Sequence, residues 1–149
     1  MNRRGFTMAE LLVTMLITGV LAQIALPAVT LMRRKADATR VITDFRAIRW
    51  AAFDQYASLS HYAPAGAWGE VPDELKPVLP TGFTFSYKNV QYRWAHYDLP
   101  AGLPGHPEQL ELLGVEVKSD DASLMATIRG LYRGSIAFGT STQMTLVVD

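Results

Sequence analysis

The chain is divided sharply by its pattern of apolar and polar positions. From Phe6 to Met32 there are 27 residues and a single charge, Glu10. Leu11 to Met32 is an uncharged run of 22 residues. As a helix it reaches ~33 Å, enough to cross a hydrocarbon core of ~30 Å. Beyond it the period changes. Val41, Phe45, Ile48, Ala52, Tyr56 and Leu59 recur at steps of four, three, four, four and three. That spacing draws one apolar stripe along a helix, with Arg40, Asp44, Arg49 and Asp54 lying away from it. The two halves read as one helix from Phe6 to about Leu59, half lipid-soluble and half amphipathic.

The rest of the chain reads as a small sheet. His61 to Pro80 holds five further Gly and Pro residues besides Pro80 and has no periodicity, so it is a loop, with a short helical turn near Asp73 to Val78. Phe83 to Tyr87 alternates strictly and predicts a strand, with Lys88–Asn89 as the turn into a second strand over Val90 to Leu99. Pro100 to Pro107 is a loop, and Leu110 to Val117 a third strand. Ser119 or Asp120 can cap a helix over Asp121 to Leu131, with Leu124, Met125, Ile128 and Leu131 turned inward. Ser135–Phe138 and Gln143–Val148 read as two short strands. The predicted class is α+β: a long N-terminal helix packed on a small antiparallel sheet with a short C-terminal helix.

Charge sharpens this division. The chain has 149 residues, 14 Lys and Arg, and 14 Asp and Glu, for a net charge of zero. Arg33 to Arg49 is net +4, whereas Trp50 to Asp149 is net −5. An apolar tip, a basic neck and a mildly acidic head follow one another. A balanced total argues against bulk attraction to nucleic acid, and no nucleic-acid partner is expected. Arg33, Arg34 and Lys35 fall where a membrane helix meets lipid headgroups, and a snorkelling interface anchor is the simplest reading. Arg3 and Arg4 lie on one flank of the apolar run and Arg33, Arg34 and Lys35 on the other, so charge asymmetry does not set its orientation. The chain has no Cys, which excludes disulfides, thiol nucleophiles and Cys-based metal sites.

The apolar run continues past Val20–Leu21–Ala22, a passable signal-peptide cut site, and is longer than an ordinary h-region. Glu10 lies near its start, where an acid is costly and points to a function. The segment Arg4–Gly5–Phe6–Thr7–Met8–Ala9–Glu10–Leu11–Leu12 resembles the N-terminus of type IV pilins and of the pseudopilins of type II secretion. The resemblance covers about the first 30 residues. It implies a leader over residues 1–5 cut after Gly5 by the prepilin peptidase. Phe6 becomes the N-methylated first residue, Glu10 the acid used in assembly, and Pro27 a helix-weakening residue. It implies a membrane and filament-core helix over 6–32 and a periplasmic head over 33–149. Localisation is then the bacterial inner membrane, single-pass, and a periplasmic or extracellular filament after assembly. Its implied partners are other pilin-like subunits, the prepilin peptidase, membrane lipid and an inner-membrane assembly platform with its ATPase.

Chemistry in the head is sparse. His61, His96 and His106 are scattered without ligand spacing and read as surface or hydrogen-bonded residues. Asp120–Asp121 reads as a helix cap, where the macrodipole favours acids. No phosphate loop, EF-hand or G-x-S-x-G pattern occurs. No catalytic residue, metal or cofactor is expected, and the chain is read as a non-enzyme. The calcium loop of the major pseudopilin and the C-terminal Cys pair of many pilins are not seen, which points to a minor or accessory member. Two alternatives stay open: a tip-binding module for DNA uptake, adhesion or substrate contact, with the Trp68 and Pro100–Pro107 loops as candidate contacts, and an exported protein behind an ordinary signal peptide.

Overall fold

The computed structural model describes residues 6–100, 102 and 111–148. Helix α1 runs unbroken over Met8–Leu59. Five strands follow: β1 (Ser86–Tyr87), β2 (Val90–Asp98), β3 (Glu111–Ser119), β4 (Ile136–Gly139) and β5 (Gln143–Val147). A second helix, α2 (Ala122–Leu131), joins β3 to β4. The sheet order is β1-β2-β3-β5-β4, with every neighbouring pair antiparallel. This is the pilin-like α+β arrangement that the resemblance implies.

One face of the sheet packs on the C-terminal half of α1. Register puts Tyr92 beside Val117 and Met144, and Trp94 beside Val115 and Leu146. All six are buried, as are Ala38, Val41, Phe45, Ile48 and Ala52 of the helix. Helix positions three and four apart share a face, as do alternate strand positions, so the two periods meet as two flat apolar surfaces. Full burial of each large side chain contributes about 1.5–3 kcal/mol before entropy is charged against it. Leu124, Met125 and Ile128 of α2 extend the same core, and Phe45 meets Tyr132 edge-on at 5.4 Å.

The stripe is shorter than its spacing predicts. Tyr56 is 46% exposed and Leu59 is also exposed, because the packed layer ends at Gln55. Tyr56 instead stacks on Tyr62, with ring centroids 4.5 Å apart. Asp44, expected on the polar side, is only 5% exposed. Its carboxylate accepts a hydrogen bond from the Tyr92 hydroxyl at 3.1 Å and pairs with Arg40 at 3.0 Å. Burial, followed by the Asp44 charge, pushes the Tyr92 hydroxyl well above the ordinary tyrosine range.

Other departures have local causes. The first strand keeps only Ser86 and Tyr87 of the predicted five residues. Lys88–Asn89 does form the turn, with Lys88 at positive φ. Upstream, the Phe83 N–H bonds back to the Pro80 carbonyl, which curls the chain away from β2. The vacated edge of β2 is taken by the loop: Gly66 and Gly69 donate to the carbonyls of Trp94 and Tyr92 at 3.0 and 2.9 Å. Residues 73–78 form the expected helical turn without extending into a helix: the Lys76 N–H bonds back to the Pro72 carbonyl at 3.2 Å and the Leu79 N–H to the Leu75 carbonyl at 3.0 Å. The cap of α2 is Asp121, whose side chain accepts from the N–H groups of Ser123 and Leu124. Ser119 and Asp120, the predicted caps, fall too early, since β3 extends through Ser119. Leu131 faces outward, 41% exposed.

The other sheet face carries a buried acid as well. Glu116 accepts from Arg93 Nε at 2.8 Å, from Gln143 at 3.3 Å and from the Tyr97 hydroxyl. Trp68 lies under this group, 4.7 Å from the Arg93 guanidinium and 5.8 Å from the Lys118 ammonium. Its indole is thus engaged in holding the loop against the sheet.

Candidate functional site

The N-terminal half of α1 stands apart from the head. Its most apolar 18-residue window has mean hydropathy 2.1 and none of it is buried, so this helix is long and apolar enough to cross a membrane. An all-round apolar surface of that length is unfavourable in water, and a lipid or protein environment removes the cost.

Thr7 caps this helix. Its hydroxyl accepts from the Glu10 N–H at 3.3 Å and donates to Glu10 Oε2 at 2.8 Å. The Thr7 N–H also donates to Glu10 Oε2 at 2.8 Å. This reciprocal capping box satisfies helix-end donors that have no partner within the helix. It also places the only acid of the apolar run against the positive end of the helix dipole. The cap residue and the acid are three apart, and Thr-x-x-Glu ahead of an apolar run is a capping-box signature that could have located this cap from the sequence.

Pro27 lies inside α1, and the helix continues through it. Proline has no N–H to give the Gln23 carbonyl, so one rung of the ladder is missing there. Thr30 donates to the Pro27 carbonyl at 2.8 Å. Arg33 and Lys35 are exposed and Arg34 is half-buried, just before Ala38, the first buried residue of the head. They sit ~35 Å along the helix from Glu10. The structure therefore spreads the predicted site residues along one rod: Phe6 and Glu10 at its tip, Pro27 within it, and the basic trio at its junction with the head. Gly5 lies outside the described residues, as do His106 and most of the Pro100–Pro107 loop.

The junction is tied to the sheet by groups that sequence reasoning passed over. Asp37 accepts from Lys88 Nζ at 2.6 Å and from the Tyr87 hydroxyl at 2.9 Å. The hydrogen bond from Lys88 holds the Asp37 carboxyl below its ordinary value, and the same bond raises the Lys88 ammonium. At the opposite end of the sheet, His96 is not scattered as its spacing suggests: Asp98 and Glu111 lie beside it. Pairing of β2 with β3 makes that approach, and no motif along the chain announces it.

A capped apolar rod, long enough to cross a membrane, fused to a small α+β head defines a pilin-like fold. Residues 1–26 match the prokaryotic N-terminal methylation motif. Over 79 residues the chain is 33% identical to the type II secretion system core protein G of Escherichia coli (strain K12). That match spans 53% of this chain and 54% of the relative, about half of each. No solved structure gives a significant match. The motif, the relative and the fold together support the type IV pilin and pseudopilin family for this chain. They point to a structural subunit rather than an enzyme, and the apolar helix fits a single-pass inner-membrane anchor.

Proposed function

We propose that the chain is a structural subunit of a pilus-like filament of the secretion type. It is inserted as a prepilin, cut after Gly5, methylated at Phe6 and assembled through α1 with other pilin-like subunits. The prepilin peptidase and an ATP-driven inner-membrane platform are the machinery this reading requires, with the head in the periplasm and Arg33, Arg34 and Lys35 at the headgroups. The observation that carries it is the fully exposed apolar half of α1 with Glu10 as its one charge. Similarity to a core protein of a type II secretion system supports a secretion filament over other filaments.

Physical chemistry supplies the role of Glu10. Cutting before Phe6 creates a cationic amine at the tip of an apolar rod. An unpaired charge in apolar surroundings is very costly, and a carboxylate partner offsets part of that cost. Within the apolar run Glu10 is the only carboxylate. Pairing between the amine of one subunit and Glu10 of its neighbour fixes the axial register of the filament. Glu10→Val should still be inserted and cut, since it removes a charge from the bilayer. It should enter filaments poorly. The measurement is the ratio of sheared to membrane-retained protein, with N-terminal sequencing to verify that the mature chain begins at Phe6. Equal ratios for the variant and the wild type would remove Glu10 from assembly.

A further inference from the structure

The ends of β2 and β3 bring together a nitrogen ligand and two carboxylates. Asp98 and Glu111 are direct partners across the antiparallel ladder, and His96 lies two residues along β2. Alternate residues share a strand face, so all three side chains project from the same side of the sheet. His96 Nε2 is 3.4 Å from Glu111 Oε2 and 4.0 Å from Asp98 Oδ1. One ligand atom from each residue lies within 4.8 Å of the other two.

A second observation is independent of this proximity. His96 Nε2 is buried and has no hydrogen-bond partner among the described residues, although the ring as a whole is 23% exposed. Buried polar nitrogens are nearly always satisfied, and an orphan one requires an explanation. Here two carboxylates flank the nitrogen without lying in hydrogen-bonding geometry to it. That arrangement suits a shared central cation better than a bridging proton.

We propose that His96, Asp98 and Glu111 bind one divalent transition-metal ion of the zinc type. Zinc–nitrogen and zinc–oxygen bonds of about 2.0–2.2 Å place neighbouring tetrahedral ligands about 3.4 Å apart, which is the His96–Glu111 separation. The Asp98 carboxylate is almost fully exposed and closes its longer gap by side-chain rotation. An imidazole donor selects zinc-like ions over calcium and magnesium, which take oxygen ligands. Three protein ligands leave one position for water. The bound ion clips β2 to β3 at the end of the head away from the membrane rod, on residues that assembly through α1 does not use.

The test uses the full-length, tag-free chain in detergent micelles, stripped with a chelator. Zinc is titrated calorimetrically, and cobalt serves as a visible probe of coordination. The expected result is one zinc per chain, a cobalt spectrum of low coordination number, and an unfolding midpoint that zinc raises. His96→Gln and Glu111→Gln should each weaken binding by at least about tenfold. His61→Gln, whose imidazole faces Glu74 and not the trio's ligand atoms, should bind as the wild type does. Glu111→Gln and Asp98→Asn alter exposed side chains, so they keep the test decisive if His96→Gln does not fold. The proposal is overturned if the wild type binds no zinc up to millimolar concentration. Wild-type affinity in the trio's variants, or calcium binding as tight as zinc, also overturns it.

Discussion

Removal of the Tyr92 hydroxyl tests the packing of α1 on the sheet at one atom pair. Asp44 is nearly buried, and its carboxylate is held by Tyr92 from the sheet and Arg40 from the helix itself. Tyr92→Phe keeps the ring in the core and deletes only the donor. A hydrogen bond to a charged group contributes about 1.5–3 kcal/mol, and the carboxylate keeps Arg40, so the lower half of that range is expected. Asp44→Ala leaves the Tyr92 hydroxyl fully buried without its acceptor, which costs about 1–3 kcal/mol. The double variant removes donor and acceptor together, so its cost should fall short of the sum by ~1 kcal/mol or more. The assay is urea unfolding of the full chain in micelles, followed by near-ultraviolet dichroism of the buried Trp94. Strict additivity would refute the reasoning, since it would mean that helix and sheet do not communicate through this bond.

The remaining predictions concern the same junction. Ile48 is fully buried in the core, so Ile48→Asp should cost upward of about 4 kcal/mol and abolish cooperative unfolding of the head; an unchanged urea midpoint would show that α1 does not pack on the sheet. The Lys88 bond depresses the Asp37 carboxyl, so the pair stabilises the folded state above the ordinary aspartate value of 3.8 and its contribution is lost as pH falls through and below that value. Asp37→Asn should therefore be less stable than the wild type at neutral pH and converge with it in acid, and a difference constant across a pH series of urea midpoints would assign the effect to packing instead.

Much of this molecule was legible because it is written in short-range periods. The uncharged run from Leu11 to Met32 specified an apolar rod, and the three–four spacing from Val41 to Ala52 specified its buried continuation. Turn chemistry at Lys88–Asn89 located the hairpin. These features depend on neighbours within one helical turn or one strand, so composition and spacing suffice to read them. What tertiary structure decided lies between elements. Tyr56 and Leu59 obey the same spacing as Ile48, yet they are exposed because the sheet ends before they reach it. Asp44 breaks the apolar pattern and is buried all the same, because Tyr92, 48 residues away, supplies a donor at its position. β3 ran two residues further than its hydrophobicity suggested, since its ladder with β2 continues to Ser119, and this moved the α2 cap to Asp121. The approach of His96 to Glu111 follows from the same ladder. A side chain's local period sets the face on which it lies; what that face meets is set by strand order and register, and these depend on the whole chain closing around one core.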